Sequence, residues 1–413
     1  MTRRHQRSRV RGKSLILLVV LGTTAGATLA GTASAEAAAP TGTATTVAAG
    51  VSYRQYDLRG AAGTAHAHLL DVDLANPHVR LGLLYPGAVA SRAPLSALAD
   101  RQQAVAGVNG DFFDISEAQH PGVEATGSSV GPAVANGRAL KGAVPDAQRF
   151  GPPLPPGTNT RAVVGVGTDG RARLDSLTLD GSYTAADRRL PLGGVNQFAL
   201  PENSVGAYTS DWGGVSRRRA TCGTDAERAG ACSARTYEVT LRRGRVVSAS
   251  ATPGSGAVAV GTTVLLGREA GAQRLRRLVA GRRVTVRYGL RSASGSAYAF
   301  AVGGYPVLSG GEPLPGLDTS RSAVRTAVGI AAGGRRVFLL ALDGAAAYRR
   351  GLTVAEVAAA LRGLGAGEGF SLDGGGSSTL VARRPGAARV TVRNHPSDGS
   401  ERPVPNGIGV FSR

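Results

Sequence analysis

The sequence predicts an α+β fold with a mixed β-sheet core and few helices, together with a β-rich inserted domain. Two observations support this prediction. Short apolar runs, alternating or continuous and ended by turn pairs such as Asn-Gly and Asp-Gly, recur along most of the chain and are typical of strands. Helical patterns are few, and the clearest is the capping box Thr353-Val354-Ala355-Glu356 ahead of an apolar periodic stretch.

The first elements lie between residues 51 and 114. Leu70, Val72 and Leu74 alternate with acidic residues, as in a half-buried strand. Pro94 suits the first turn of a helix that we expect to reach about Gln102. The strands expected here are 70–74, 79–83 and the buried run 104–108, which ends at Asn-Gly.

Further along, residues 151–300 contain short strand-like runs broken by turns, with one helical pattern near 269–279. The last section has a continuous apolar strand at 337–342. The capped helix follows it and stops at Gly363 and Gly365. Short strands are then expected at 370–372 and 379–382, on either side of a glycine-rich break.

Composition shifts divide the chain of 413 residues into five segments. The proline-rich stretch at 152–156 marks one boundary. We expect a signal peptide (1–35), a flexible leader (36–50), the first part of the main domain (51–150), the β-rich insertion (151–300) and the second part of the main domain (301–413).

The first 35 residues have the features of an export signal. Six basic residues precede a short apolar run at 15–21, and Ala33-Ser34-Ala35 provides a small-residue cleavage site. A membrane anchor would need a longer apolar run, so we expect cleavage, no stable membrane insertion afterwards and a secreted, extracellular protein.

The net charge is +20, and removal of residues 1–35 leaves 42 basic against 28 acidic residues, or +14. A coding bias toward Arg explains this composition, and attraction to a polyanion is the sharper alternative. Export favours a phosphate-containing cell-wall glycopolymer as the partner. The Arg residues are not clustered in aromatic-rich stripes, so we expect no nucleic-acid binding. The sequence leaves the oligomeric state open.

Cys222 and Cys232 are the two cysteines of the chain, ten residues apart in a segment rich in small residues. In an oxidising compartment they are expected to form a disulfide that closes a short loop. No His or further Cys lies near them in sequence, so we expect neither a metal site nor a cofactor.

The segment Asp373-Gly374-Gly375-Gly376-Ser377-Ser378 is the most informative candidate site. Three glycines between two strands cost backbone entropy, but they allow the main chain to approach a ligand and to point N–H groups at an anion. A flexible hairpin loop is the alternative interpretation. Asp373 ends a strand, where its side chain would be held firmly and still be accessible.

Three other segments carry candidate residues. Asn109 and Asp111 lie in Val108–Asp114, where Asn-Gly could simply form a turn. Arg325 and Thr326 lead into an apolar strand, and an Arg there could clamp a phosphate. Asp343-Gly344 is either a turn or a site. The pair His66 and His68 lacks a third ligand, and nothing in the sequence gives His120 or His395 a role.

Taken in order, these motifs resemble the phosphodiester glycosidase family. The resemblance covers roughly residues 50–413 and is strongest at 104–114 and 323–410, including Leu372–Ser378 and Pro405-Asn406-Gly407. It implies that 51–150 and 301–413 form the glycosidase domain and that the enzyme attacks the anomeric carbon of a sugar-1-phosphodiester. The implied substrates resemble N-acetylglucosamine-1-phosphodiesters or a cell-wall glycopolymer.

The resemblance and the chemistry together suggest a division of roles. Asp373, Asp343 and Asp111 are the candidate catalytic carboxylates. Arg325 and the Gly374–Gly376 amides would bind the phosphate. The remaining expected substrate-binding residues are Asn109, Thr326, Ser377, Ser378, Arg402 and Asn406.

Two other function classes stay open at this point. A non-catalytic protein could use the same loop and arginines to hold an anionic cell-wall glycopolymer. A metal-dependent phosphodiesterase would break the P–O bond instead, but the sequence lacks the clustered His and Asp ligands of a two-metal site.

Overall fold

Most of the apolar runs become strands in the computed structural model, which describes residues 43–412. Before residue 150 the elements are β1 Thr45–Ala48, β2 Val51–Gly60, β3 Gly63–Asp73, β4 Val79–Leu84, α1 Leu95–Arg101, β5 Ala106–Asn109, β6 Ala133–Ala135, β7 Arg138–Lys141 and a 3-10 turn at Asp146–Gln148.

The middle of the chain is almost entirely β. Its elements are β8 Ala162–Gly167, β9 Ala172–Ala185, β10 Arg188–Pro191, β11 Gly194–Val195, β12 Val205–Tyr208, a 3-10 turn at Arg218–Thr221, β13 Thr236–Arg242, β14 Arg245–Ser250, β15 Thr262–Arg268, α2 Ala270–Leu275, β16 Thr285–Ser292 and β17 Tyr298–Gly303.

The last section contains the strands that position the candidate site. Its elements are β18 Tyr305–Ser309, β19 Glu312–Pro313, β20 Thr326–Ala331, a 3-10 turn at Ala332–Gly334, β21 Arg336–Leu342, α3 Val354–Gly363, β22 Glu368–Leu372, a 3-10 turn at Gly375–Ser377, β23 Leu380–Arg383, β24 Val390–Val392 and β25 Gly407–Ser412.

These strands form four sheets. The largest has the order β1-β2-β3-β21-β20-β22-β18-β19, and a second has the order β24-β23-β5-β25-β4. A third runs β10-β9-β8-β17-β6-β7, with β16 also paired to β9, and the fourth runs β11-β12-β15-β13-β14. Among the described strands, pairing is antiparallel except between β11 and β12. The prediction of a mixed sheet therefore holds only for the sheet that contains that pair.

The core beside the largest sheet consists mainly of buried apolar side chains. Residues 337–342 of β21 are all buried, and the helix α3 packs its buried side chains Val357 and Leu361 into the same apolar cluster. Burial of each large aliphatic side chain contributes about 1.5–3 kcal/mol. Both halves of the predicted capping box are present, because Thr353 accepts from the Glu356 N–H and the Glu356 carboxylate accepts from the Thr353 N–H.

The three predicted helices are present as α1, α2 and α3, the second shorter than expected. The leader prediction needs correction at its end, because Thr45–Ala48 pairs with β2 as strand β1. The predicted signal peptide lies outside the described residues. The 150/151 and 300/301 boundaries stay predictions, although the sheet β11-β12-β15-β13-β14 lies wholly between them. No helix among residues 43–412 is long and apolar enough to cross a membrane.

Candidate active site

The ends of three adjacent strands meet at one edge of the largest sheet. Both β21 and β22 pair antiparallel with β20, so they run parallel to each other. Thr326, at the start of β20, lies between Ala341 and Leu372. Asp343 and Asp373, which follow β21 and β22, are therefore two strands apart, or roughly 10 Å.

A buried amide fixes this edge to the second sheet. Asn109, at the end of β5, donates from Nδ2 to the carbonyl oxygen of Asp373 (2.7 Å) and accepts at Oδ1 from the Thr326 hydroxyl (2.7 Å) and the Thr379 N–H (3.1 Å). The Ser378 hydroxyl lies 3.0 Å from that of Thr326. Asn109, Thr326 and Ser378 are fully buried, and these hydrogen bonds hold the turn in position.

Asp373 projects from this scaffold as a half-buried carboxyl group. Its Oδ1 accepts from the Gly374 N–H (3.0 Å), and the Ser377 hydroxyl also hydrogen-bonds to it. Arg402 donates from Nη1 to Ser377 Oγ (3.3 Å). Burial raises the pKa of Asp373 to about 7, although Ser377 and the positive charge of Arg402 act in the opposite direction.

The N–H groups of Gly374 and Gly375, which were predicted to bind phosphate, bond to atoms of the protein instead. The Gly374 N–H bonds Asp373, and the Gly375 N–H donates to the carbonyl oxygen of Val324 (2.8 Å). Gly375 has a positive φ of 59°, which favours glycine. At Gly376 a Cβ atom would collide with the paired side chains of Asp398 and Arg402. These glycines mainly allow close packing of the turn.

A second carboxyl group, that of Asp111, follows Gly110, whose carbonyl oxygen accepts from the Asp373 N–H (2.9 Å). The main-chain N–H of Asp111 donates to Asn406 Oδ1 (2.9 Å), and its carboxylate Oδ2 accepts from the Gly131 N–H (2.6 Å). Its Oδ1 is buried and has no hydrogen-bond partner among the described residues. Burial raises the pKa of Asp111 to about 6, and the charge of Asp111 in turn helps to raise the pKa of Asp373.

Two cations face Asp111. Lys141 is buried and donates to the carbonyl oxygens of Gly131 (2.5 Å), Gly142 (2.7 Å) and Val130 (3.3 Å). Burial lowers the pKa of Lys141 to about 7, and the negative charge of Asp111 opposes that change. Arg149, whose guanidinium lies 5.4 Å from the Phe112 ring centroid, is the second cation. Sequence reasoning missed both, because neither belongs to a recognisable motif.

Arg325 does not occupy the place that the sequence predicted. Its Nε donates to the carbonyl oxygen of Leu352 (3.2 Å) and its Nη2 to that of Arg321 (2.7 Å). Arg325 is also nearly buried, at 9% exposure. It fastens two loops together, and the cation beside Asp373 is Arg402. Arg325 was preferred from the sequence because it leads into an apolar strand, and that local feature does not show which partners its side chain meets.

Asp343 belongs to a separate hydrogen-bond network. Oδ2 accepts from His68 Nε2 (3.1 Å) and from the ring Nδ1 (2.8 Å) and main-chain N–H (3.1 Å) of His395, while Oδ1 accepts from the Ala345 N–H (2.7 Å). Burial opposes ionisation, but the hydrogen bonds from His395, Ala345 and His68 lower the pKa of Asp343 overall. So satisfied a carboxylate is a poor nucleophile. It orients histidines instead.

His68 is the buried end of that network. Burial lowers the pKa of His68 to about 4, so the ring is neutral near pH 7. An ionised Asp343 can only accept, so Nε2 of His68 carries the proton, and Nδ1 accepts from the Tyr53 hydroxyl (2.7 Å). Sequence reasoning assigned no role to His68 or His395, because their shared partner, Asp343, is distant along the chain.

The predicted disulfide between Cys222 and Cys232 is present. His120 lies close enough to both sulfur atoms for the three to suggest a metal site. Cysteines joined in a disulfide have no thiolate to offer, so these residues do not form a metal centre. His120 instead bonds Glu117 and the carbonyl oxygen of Gly230 (2.8 Å), which ties the disulfide loop to the segment after Asp114.

Residues 235–411 match the family model of the phosphodiester glycosidases. The resemblance drawn from the sequence motifs is thereby confirmed, and the fold is phosphodiester glycosidase-like. A search of curated proteins gave no match.

Solved structures with this fold include a hypothetical protein from Synechocystis, with 19% identity and a TM-score of 0.68 over 91% of this chain. This chain spans 64% of the length of that protein. A protein from Burkholderia pseudomallei, provisionally described as exported, has 24% identity and a TM-score of 0.63 over 84% of this chain and 74% of its own. The catalytic domain of zebrafish N-acetylglucosamine-1-phosphodiester alpha-N-acetylglucosaminidase, auto-inhibited by its pro-peptide, has 14% identity and a TM-score of 0.44 over 91% of this chain and 87% of its own.

Proposed function

From the family resemblance and the geometry of the candidate site together, we propose that this protein is a secreted hydrolase that cleaves the bond between a sugar's anomeric carbon and a phosphodiester. One observation carries the proposal. Two carboxyl groups, Asp111 and Asp373, lie together with raised pKa values beside an arginine, Arg402, that is partly exposed. Paired carboxyl groups with shifted pKa values are typical of glycoside hydrolysis.

The leaving group sets what the site must supply. A phosphomonoester has a second pKa of about 6, so it departs far more readily than a sugar alkoxide. A strong general acid is therefore less important than positive charge near the departing oxygen. Arg402 is the best placed cation, because it lies beside Asp373 and its side chain is 28% exposed. Arg149 supplies further positive charge on the Asp111 side.

The two carboxyl groups would act at the sugar. The unpartnered Oδ1 of Asp111 provides negative charge for the oxocarbenium-like centre that develops at the anomeric carbon. As the glycosidic bond breaks, its electron pair leaves with the phosphate oxygen. A water oxygen bonds to the anomeric carbon and loses a proton. The products are a free reducing sugar and a phosphomonoester.

The substrate that we propose is a sugar-1-phosphodiester, free or within a phosphate-containing cell-wall glycopolymer. The positive net charge favours such an anionic polymer, because long-range attraction concentrates it near the protein. Export would bring the protein to the compartment where such polymers lie. The disulfide agrees with this location, because disulfides persist mainly in oxidising compartments.

The test follows phosphorus NMR spectra of a panel of sugar-1-phosphodiesters during incubation with the protein. We expect a new phosphomonoester signal together with reducing sugar. Asp373→Asn should lower kcat about 10³-fold or more while the protein stays folded. Asp187→Asn, on an exposed turn between β9 and β10, is the matched control and should leave turnover unchanged.

Three results would contradict the proposal. Sugar-1-phosphate as the product would mean P–O cleavage. Binding of the panel with no product over long incubation would mean a non-catalytic binding protein. Full turnover by folded Asp373→Asn would remove the carboxyl pair from the mechanism.

A further inference from the structure

The segment 394–402 lies across both turns at the sheet edge. Asn394 Nδ2 donates to the carbonyl oxygens of Leu342 (3.3 Å) and Ser378 (2.9 Å). Ser397 Oγ donates to the carbonyl oxygen of Gly375 (3.4 Å). The segment therefore fixes His395 beside Asp343 at one end and Arg402 beside Asp373 at the other.

His395 is held at two points and open at a third. Its main-chain N–H and its ring Nδ1 both bond Asp343 Oδ2. An ionised carboxylate only accepts, so Nδ1 carries a proton, and in the neutral ring Nε2 has a free lone pair. The side chain is 76% exposed, whereas that of Asp343 is only 2% exposed. An oriented imidazole that presents Nε2 to solvent is the arrangement of a general base.

The spacing of the edge gives this base a place in the reaction. Asp343 and Asp373 follow the two strands that flank β20, roughly 10 Å apart, and the segment 394–402 places His395 beside the first and Arg402 beside the second. A water and the reacting sugar carbon need comparable room in glycosidases that activate water directly. A surface ion pair that only fastened the loop would stabilise it little and would leave Nε2 unused.

Building on the proposed function, we propose that His395 is a catalytic base that activates the attacking water and that Asp343 is its positioning residue. Nε2 takes one proton from water while the water oxygen bonds to the anomeric carbon. The electron pair of the carbon–oxygen bond leaves with the phosphate oxygen. The imidazolium then returns its proton to solvent, so the base is regenerated and charge is balanced.

The test replaces His395 by Asn, whose side-chain NH2 can still donate to Asp343 but which lacks Nε2. We expect kcat to fall about 10²- to 10³-fold, with little change in KM or in Tm. Added imidazole should restore at least tenfold of the lost rate, because a small base can enter the vacated space. His78→Asn, in an exposed loop ahead of β4, is the control and should behave as wild type with and without imidazole.

The outcomes separate this inference from the proposed function. If wild type releases reducing sugar and His395→Asn does so at the same rate, His395 is not the base, and the proposed hydrolase function stands. Loss of activity that imidazole does not restore, accompanied by a lower Tm, would mean that His395 only holds the loop. Wild type that releases no reducing sugar would overturn both.

Discussion

Two turns at the same sheet edge have the same dipeptide and opposite chemistry. Asp343-Gly344 follows β21, and Asp373-Gly374 follows β22, which runs parallel to it. Asp343 accepts four hydrogen bonds and its pKa is lowered, whereas burial raises the pKa of Asp373 to about 7. An Asp-Gly pair in the sequence therefore predicts the position of a carboxyl group, whereas the hydrogen bonds and burial around that group determine its pKa.

The difference comes from which side chains reach each turn. Two histidines and a main-chain N–H converge on Asp343, so its charged form is well solvated by the protein. Asp373 receives one serine, one glycine N–H and the field of an arginine, with a second carboxyl group nearby. The first turn is built to hold a permanent charge, and the second to hold an exchangeable proton.

The largest effect that would sharpen this comparison concerns arginine. Arg402→Gln should lower kcat/KM about 10²- to 10³-fold, because it removes the cation beside Asp373. Arg325→Gln should leave kcat/KM within about threefold and lower the Tm, because Arg325 bonds two loop carbonyl oxygens. Steady-state kinetics and thermal unfolding of both variants test this. The reverse pattern would mean that Arg325, and not Arg402, binds the phosphate.

The next effect is on stability at the saturated turn. Asp343→Asn should lower the free energy of unfolding by about 2–3 kcal/mol at pH 7, because it removes a buried charge acceptor from two histidines. The folded pKa of Asp343 is lowered, so its contribution is present above the unfolded pKa of about 4 and is lost as pH falls through the lower folded pKa. Urea unfolding at pH 7 and at about pH 2 should show the deficit shrinking, and a constant deficit would contradict this.

The smallest effect has the opposite sign. The folded pKa of Asp373 is raised to about 7, so ionisation costs stability as pH rises from about 4 through 7. Asp373→Asn removes that cost and should raise the free energy of unfolding by about 1 kcal/mol at pH 8.5, less than the pKa shift implies because the group is partly exposed. At pH 4.5 the two proteins should be nearly equal. If Asp373→Asn were less stable than wild type at pH 8.5, ionised Asp373 would stabilise the fold, as Asp343 does, and the proposed difference between the two turns would be wrong.

The sequence predicts local features of this fold well. The capping box of α3, the strand before Asp373 and the Cys222–Cys232 disulfide depend on neighbouring residues, and each is present. The family resemblance assigned Asn109 and Asp373 to one candidate site, and the structure brings the two together. Periodicity, capping and turn chemistry act over a few residues, so they are readable without a fold.

Side-chain partners were harder to predict because they are set by long-range packing. His68 and Asp343 are 275 residues apart in sequence. Lys141 lies near Asp111 because its ammonium group bonds main-chain carbonyl oxygens, and no sequence pattern identifies those partners. Arg325 was preferred to Arg402 as the phosphate clamp because it leads into a strand. Which arginine lies near Asp373 depends on the course of the segment 394–402, and that is a tertiary property.

The burial of Lys141 has a practical consequence. The sequence contains two lysines, Lys13 and Lys141, and the first lies in the segment predicted to be removed on export. The processed chain would then carry a single ε-amine, enclosed by three carbonyl oxygens. Amine-reactive dyes should attach at the amino terminus alone, and a lysine-specific protease should cut once, only after the region around β7 opens. The rate of cleavage into two fragments therefore measures how often this part of the protein opens.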